Sequence, residues 1–138
     1  MPVIRRGEPG DLAEIDSIQS ASPEAPHWNA ADYLRYDVLV AVRGNRVVGF
    51  IVSRALSEDE REILNLAVSP DFRRQGIARA LCETIMDGFR GGVYLEVRES
   101  NHAARKLYES LGFEAVGSRQ KYYNSPPEDA IVMKFRSC

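Results

Sequence analysis

The sequence predicts an α/β fold organised around a strand–helix–strand unit, and three observations carry that expectation. Residues 62–98 read as an apolar strand, a glycine-containing loop, a helix and a second apolar strand. The helix between them has a wide apolar stripe: Ile77, Leu81 and Ile85 fall four apart, with Ala78, Cys82 and Met86 beside them. Elsewhere, short apolar runs alternate with clusters of Gly, Pro, Asn and Asp, as strands and turns do. With 138 residues, no repeat and no linker, a single domain spanning 1–138 is expected.

Val3-Ile4-Arg5 reads as a first strand, ended by Gly7-Glu8-Pro9-Gly10. Asp11 is placed to cap a helix with Leu12, Ile15 and Ile18 on one face. Asn29 can cap a second short helix over 30–36. Val38 to Val42 and Val47 to Ser53, joined at Gly44-Asn45, read as a β-hairpin. The polar run 57–61 reads as a turn into the strand 62–68, whose near-continuous apolar character suits a central position. After the helix from Gly76 to Gly88, Gly91-Gly92 breaks the pattern and Val93 to Arg98 is the next strand. Asn101 to Leu111 reads as a helix with Ala103, Ala104, Leu107 and Leu111 inward and Gly112 at its C-cap. Strands at 113–118 and 130–135 complete the order, with Tyr122-Tyr123-Asn124-Ser125-Pro126-Pro127 as the loop between them.

Composition excludes several classes of function. Eighteen basic and twenty acidic residues give a net charge of −2, so no basic excess advertises nucleic acid. There is no apolar run long enough for a transmembrane helix, and Met-Pro-Val-Ile-Arg-Arg lacks the apolar core of a signal peptide. A cytoplasmic protein without a membrane partner is expected. Cys82 sits in the apolar rhythm of its helix and reads as packing, and Cys138 is terminal; with two histidines, His27 and His102, no metal-ligand spacing appears. Both histidines read as surface residues.

The chemistry concentrates around Arg73-Arg74-Gln75-Gly76-Ile77-Ala78-Arg79. A strand feeding a glycine loop that opens a helix aims backbone N–H groups, and the positive end of the helix dipole, at an anion such as a pyrophosphate. The loop is not a P-loop, since no Gly-Lys-Ser/Thr follows, nor the Gly-x-Gly-x-x-Gly dinucleotide fingerprint, since it has one glycine.

Taken together, Arg-x-x-Gly-x-Ala at 73–78 and Asn101-x-x-Ala104-x-x-x-Tyr108-x-x-x-Gly112-Phe113 resemble the GNAT (Gcn5-related N-acetyltransferase) family. The runs Ile63-Leu64-Asn65-Leu66-Ala67-Val68, Tyr94-Leu95-Glu96-Val97-Arg98 and Glu128-Asp129-Ala130-Ile131-Val132-Met133 are similar to its RimI-type branch, which acetylates the N-terminal alanine of a small-subunit ribosomal protein. The resemblance is close over 62–135 and looser over 1–61. It implies a mixed, mostly antiparallel sheet of six to seven strands flanked by about four helices. It implies acetyl-CoA as cosubstrate and no metal. The backbone of Leu66, Ala67 and Val68 would hold the pantetheine and acetyl arm. Arg74, Gln75, Gly76, Ile77, Ala78 and Arg79 would hold the pyrophosphate, with Arg73 beside it. The Asn101 side chain would bond the pantetheine. Glu96 matches the general base and Tyr108 the general acid. Ala78 stands where many members have glycine, a change the family tolerates.

Elementary acid–base chemistry agrees with these roles. Attack on a thioester needs a neutral amine. A peptide α-amine, with a pKa near 8, is roughly one-tenth neutral at pH 7, whereas a lysine near ~10.4 is neutral in roughly one part in 2,500. A carboxylate base therefore suffices for an α-amine. Backbone N–H groups freed where the cofactor strand splays can polarise the thioester carbonyl. Transfer is expected to be direct, because no cysteine is placed as a nucleophile.

Other readings stay open at this point. Glu96 can be a salt-bridged strand residue and Tyr108 can simply pack. Glu62 is the alternative base. Trp28, Tyr122 and Tyr123 are either core-rim residues or walls of an acceptor groove. Arg73 and Arg74 can be a solvated face. The acceptor is expected to be a protein N-terminus, with a small-molecule amine or a non-catalytic acetyl-CoA-binding module as the competing functions, and the protein a monomer or weak dimer.

Overall fold

The computed structural model describes residues 2–22, 28–123 and 127–137, with backbone alone at 121–123 and 137. Seven strands, β1 (Val3–Arg6), β2 (Asp37–Arg43), β3 (Arg46–Ser57), β4 (Glu60–Val68), β5 (Gly91–Arg98), β6 (Glu114–Tyr123) and β7 (Glu128–Ser137), form a sheet in the order β1-β2-β3-β4-β5-β7-β6. The pairs β1/β2, β2/β3, β5/β7 and β6/β7 are antiparallel, and β4/β5 is parallel. Among the described residues the helices are α1 (Leu12–Ser20), a 3-10 helix over Ala30–Arg35, α2 (Ile77–Met86) and α3 (His102–Ser110). The expected mixed, mostly antiparallel sheet with about four helices is the observed one. The chain falls into two compact units, Met1–Arg54 with Leu64–Asp87, and Ala55–Ile63 with Gly88–Cys138.

In the first unit, β2 and β3 alternate between two faces, as a strand's two-residue period requires. Val38, Val40, Val47, Phe50 and Val52 face a core closed by Ile15 and Ile18 of α1 and by Ala30 and Tyr33. Gly49, paired with Ala41, faces the other way, against Ile77 and Leu81 of α2. α2 buries Ile77, Leu81 and Cys82, so the stripe read from its spacing is the buried one.

Two N-terminal features differ from expectation. Asp11 does not cap α1 with its side chain. It ends a 3-10 turn (Pro9–Asp11), accepts the Glu8 N–H at 2.7 Å, and takes a two-pronged bond from Arg5 at 2.9 and 3.0 Å. The pull of the Arg5 guanidinium outweighs one helix-end N–H, because charge-assisted bidentate bonds are the stronger kind. Asn29 does cap as expected, accepting from the Ala31 N–H at 3.1 Å, but the helix it starts is 3-10 rather than α.

In the second unit, Val93, Leu95 and Val97 of β5 and Met133 of β7 are buried, while Tyr94, Glu96 and Arg98 are half-buried on the opposite face. The rings of Tyr108, Phe113 and Phe135 stack in series at 5.7 Å each. On α3, Tyr108 is buried, Ala104, Leu107 and Leu111 are half-buried, and Ala103, expected inward, is exposed. β6 runs to Tyr123, so Tyr122 and Tyr123 belong to a strand rather than to the expected loop, and the side chains of both lie outside the described residues. Nor do Gly91 and Gly92 lie in a break, for they open β5. Gly91 has φ +133°, and a Cβ there would lie 2.1 Å from the Asp59 carbonyl oxygen, the same oxygen that accepts the Gly92 N–H at 2.9 Å.

Gly91→Ala is therefore expected to lose roughly 2–4 kcal/mol of stability in denaturant titration, from backbone strain plus overpacking. Gly10→Ala, which meets nothing within 4 Å, should stay near wild type. The Arg5 hydrogen bonds hold the Asp11 carboxyl below its usual range. A carboxylate with a depressed pKa adds stability above its unfolded-state value and loses it as pH falls through the folded-state value. Asp11→Asn should thus lower the melting temperature clearly at pH 7, and the gap to wild type should close on acidification.

Candidate active site

The loop between β4 and α2 is built for an anion. Arg74 has φ +62° and Gly76 φ +79°, two left-handed residues flanking Gln75. A turn of this kind gathers successive N–H groups into a concavity. The first intrahelical bond runs from the Ala80 N–H to the Gly76 carbonyl at 3.0 Å, so the N–H groups of Ile77, Ala78 and Arg79 precede the helical ladder. Gly76 is exposed, and a Cβ there would meet nothing within 4 Å. Arg43 of β2 donates to the Gln75 side-chain oxygen at 2.7 Å and bridges the hairpin to the loop. This open, N–H-rich turn could hold an anionic group.

Arg73 faces elsewhere. Its Nε donates to the Val68 carbonyl at 3.2 Å, and its Nη2 to the Ser22 hydroxyl at 3.1 Å and the Ala21 carbonyl at 3.4 Å. It ties the end of β4 to the end of α1.

β4 carries a feature that the sequence reading passed over. Asn65 is 4% exposed within an apolar strand. Its amide donates to the Tyr33 hydroxyl at 2.9 Å and to the Gln19 side-chain oxygen at 3.2 Å, and the Tyr33 hydroxyl also donates to Gln19. Gln19, 2% exposed, donates to the Trp28 carbonyl, and the Asn65 Oδ1 accepts the N–H of Leu66 at 2.8 Å. Burial pushes the Tyr33 phenol up to about 12, so it stays a donor. The network sets the backbone of Leu66, one of the three residues expected to hold the acetyl arm. The signal for it was present: one amide at an inward position of an apolar run. Trp28 is half-buried against this core, with Tyr33 and Tyr36 rings at 5.9 and 6.5 Å.

In the second unit, Glu96 is opposite Val132 of β7, which is opposite Gly117 of β6. The next row on that face carries Arg98, Ala130 and Arg119, and the preceding row Glu62, Tyr94 and Lys134. The two candidate bases, Glu96 and Glu62, thus share one polar face. Glu96 Oε1 accepts from Arg119 Nη1 at 2.8 Å. Glu96 Oε2 is buried and has no hydrogen-bond partner among the described residues. Tyr108 is 7% exposed, and its ring packs on Phe113 in the series that reaches Phe135 on the face opposite Glu96.

Asn101 caps α3, its Oδ1 accepting the Ala104 N–H at 3.2 Å. The loop before it is held by Glu128, which accepts from Arg98 at 3.2 Å and from the Ser100 N–H at 2.5 Å. Bonds from Ser100, with Arg98 beside them, hold the Glu128 carboxyl below its usual range. Arg119 gave no signal in the sequence, where it is one charge among many, and Glu128 stood out only as the first residue of the run 128–133.

Cys82 is buried and its thiol is pushed up to about 12 by desolvation, so it cannot serve as a nucleophile at neutral pH. His102 is exposed; His27 and Cys138 lie outside the described residues. Among the described residues no helix is long and apolar enough to cross a membrane, and no three His, Cys, Asp or Glu side chains cluster as metal ligands.

The sequence matches the acetyltransferase (GNAT) family over residues 11–113. The chain belongs to the GNAT family. It is 41% identical over 144 aligned positions to the [ribosomal protein bS18]-alanine N-acetyltransferase of Escherichia coli K12, with 96% of each chain covered. The crystal structure of the ribosomal-protein-S18-alanine N-acetyltransferase from Escherichia coli superposes with a TM-score of 0.85 at 33% identity, covering 99% of this chain and 94% of that one. Ard1 from Thermoplasma volcanium superposes with a TM-score of 0.89 at 29% identity, covering 99% and 97%. This GNAT protein is an N-acetyltransferase of RimI-like type, and acetyl-CoA is its acetyl donor.

Gly76→Glu should weaken acetyl-CoA binding at least tenfold in calorimetry, by filling the turn and repelling the pyrophosphate. Gly76→Asn, which tolerates positive φ, separates that effect from backbone strain. Asn65→Leu should lower stability by roughly 1–3 kcal/mol, because the Leu66 N–H loses its acceptor inside the core.

Proposed function

We propose that this protein transfers acetyl from acetyl-CoA directly to the α-amine of a protein N-terminus, of the alanine type, with a small-subunit ribosomal protein as acceptor. The relatives whose names specify bS18 or S18 alanine support the acceptor class. One observation carries the chemistry: Glu96 has one oxygen tied to Arg119 and the other buried without a partner among the described residues. A carboxylate oxygen in that setting can take a hydrogen bond, and then a proton, from a substrate amine. Such an acceptor places the work in the cytoplasm, where ribosomal-protein N-termini are found.

Acetyl-CoA supplies the activated carbonyl; an N–C bond forms and the C–S bond breaks. Glu96 takes the proton that the amine gives up. Tyr108 returns a proton to the departing sulfur. The N–H groups from Gln75 to Arg79 hold the pyrophosphate, and the backbone of Leu66 to Val68 holds the acyl arm. The α-amine suits a carboxylate base: the pKa gap to lysine is ~2.5 units, or ~3.4 kcal/mol of extra deprotonation.

Peptides beginning with alanine should gain one acetyl group on the α-amine by mass spectrometry, and Glu96→Gln should lower kcat roughly 100-fold. Saturable turnover on a free small amine with none on the peptides sinks the acceptor assignment. A larger loss in Glu62→Gln than in Glu96→Gln moves the base to Glu62.

A further inference from the structure

Arg119 lies outside every motif that points to acetyl transfer, yet its guanidinium holds the candidate base. The geometry has three parts. Arg119 Nη1 donates to Glu96 Oε1 at 2.8 Å, a charge-assisted bond. Glu96 Oε2 is the buried side-chain oxygen without a partner among the described residues. Between the two residues runs the row Glu96–Val132–Gly117, in which Gly117 presents no side chain, so Arg119 reaches diagonally across β7. Arg119 is itself about half exposed, at 54%, whereas the Glu96 side chain is 19% exposed.

We propose that Arg119 is a positioning residue for acetyl transfer: it pins one oxygen of Glu96 so that the other is presented to the ammonium of the acceptor. A carboxylate attached to its strand by a flexible side chain has two equivalent oxygens and free rotation about its last bond. A guanidinium on one oxygen removes that equivalence and fixes the rotation. It also offsets the cost of keeping an anion in a largely desolvated place. β6 runs on from Arg119 into Lys121, Tyr122 and Tyr123, so the same strand that holds the base carries the two tyrosines read as candidate acceptor-groove residues. The proposal rests on Glu96 being the base.

The test uses the whole chain, acetyl-CoA and a peptide beginning with alanine. Arg119→Met removes the bond and keeps the length of the side chain. It should lower kcat roughly 10- to 100-fold, the scale of a displaced catalytic group, while KM for acetyl-CoA stays within about twofold. Arg119→Lys keeps a charge and one donor, and should recover most of the lost kcat. Arg119→Met should lower the melting temperature by a few degrees, because it leaves a largely desolvated carboxylate without its cation, whereas Arg119→Lys should stay near wild type, and kcat is compared well below both transitions. Wild-type kcat in Arg119→Met, or a raised KM with unchanged kcat, overturns the proposal, as does a loss that Arg119→Lys does not restore. Glu96→Gln separates this from the underlying reading. If Glu96→Gln is impaired and Arg119→Met is not, the base stands and the positioning role falls. If Glu96→Gln is fully active, the assignment of the base falls first.

Discussion

Asn65 is the residue on which the architecture of the first unit turns. A primary amide shut inside an apolar strand is costly unless all its hydrogen-bonding groups are met. Here the cost is offset by Tyr33, Gln19 and the Leu66 N–H together. These partners come from α1, the 3-10 helix and β4, so satisfying one side chain fixes three elements against one another. The Leu66 N–H donates to the side chain of the preceding residue, which ties the backbone at this point of β4 to the network. Arg73 reinforces the arrangement by tying the Val68 carbonyl to Ser22 at the end of α1.

The second unit solves a different problem. Its buried face is continuous: Val93, Leu95, Val97 and Met133, with Tyr108, Phe113 and Phe135 stacked in series. Its other face carries Glu62, Tyr94, Glu96, Arg98, Lys134 and Arg119 in adjoining rows, and charges there must find partners or face substrate. Tyr94 bonds Glu60, Arg98 bonds Glu128, and Arg119 bonds Glu96. After these pairings, Glu96 Oε2 is buried and has no hydrogen-bond partner among the described residues.

Much of the fold was legible in local pattern. Ile77, Leu81 and Cys82 bury the face of α2 that their spacing marks. The Gly44-Asn45 hairpin and the Asn29 cap are where turn chemistry places them. The readings that missed share one cause: a local preference met a stronger partner distant in the chain or in an adjoining element. Asp11 gave up its helix cap to the Arg5 guanidinium. Gly91 and Gly92, which read as a break, start a strand because the Asp59 carbonyl needs a close backbone neighbour. Tyr122 and Tyr123 extend β6 because β7 pairs with it as far as Tyr123↔Glu128.

The family and the acetyl donor were legible in the sequence alone, because they rest on short contiguous patterns: one glycine ahead of a helix start, one helix signature and one alternating strand. Tertiary structure decided which of those residues are free to act. It bonded Arg73 to Val68 and Ser22, engaged Asn65 with Gln19 and Tyr33, and set Arg119 on one oxygen of Glu96. Apart from Arg73 and Val68, five positions apart, these pairings join residues 23 to 51 positions apart, and hydrogen bonds at that separation depend on strand register and side-chain reach, which no local pattern encodes.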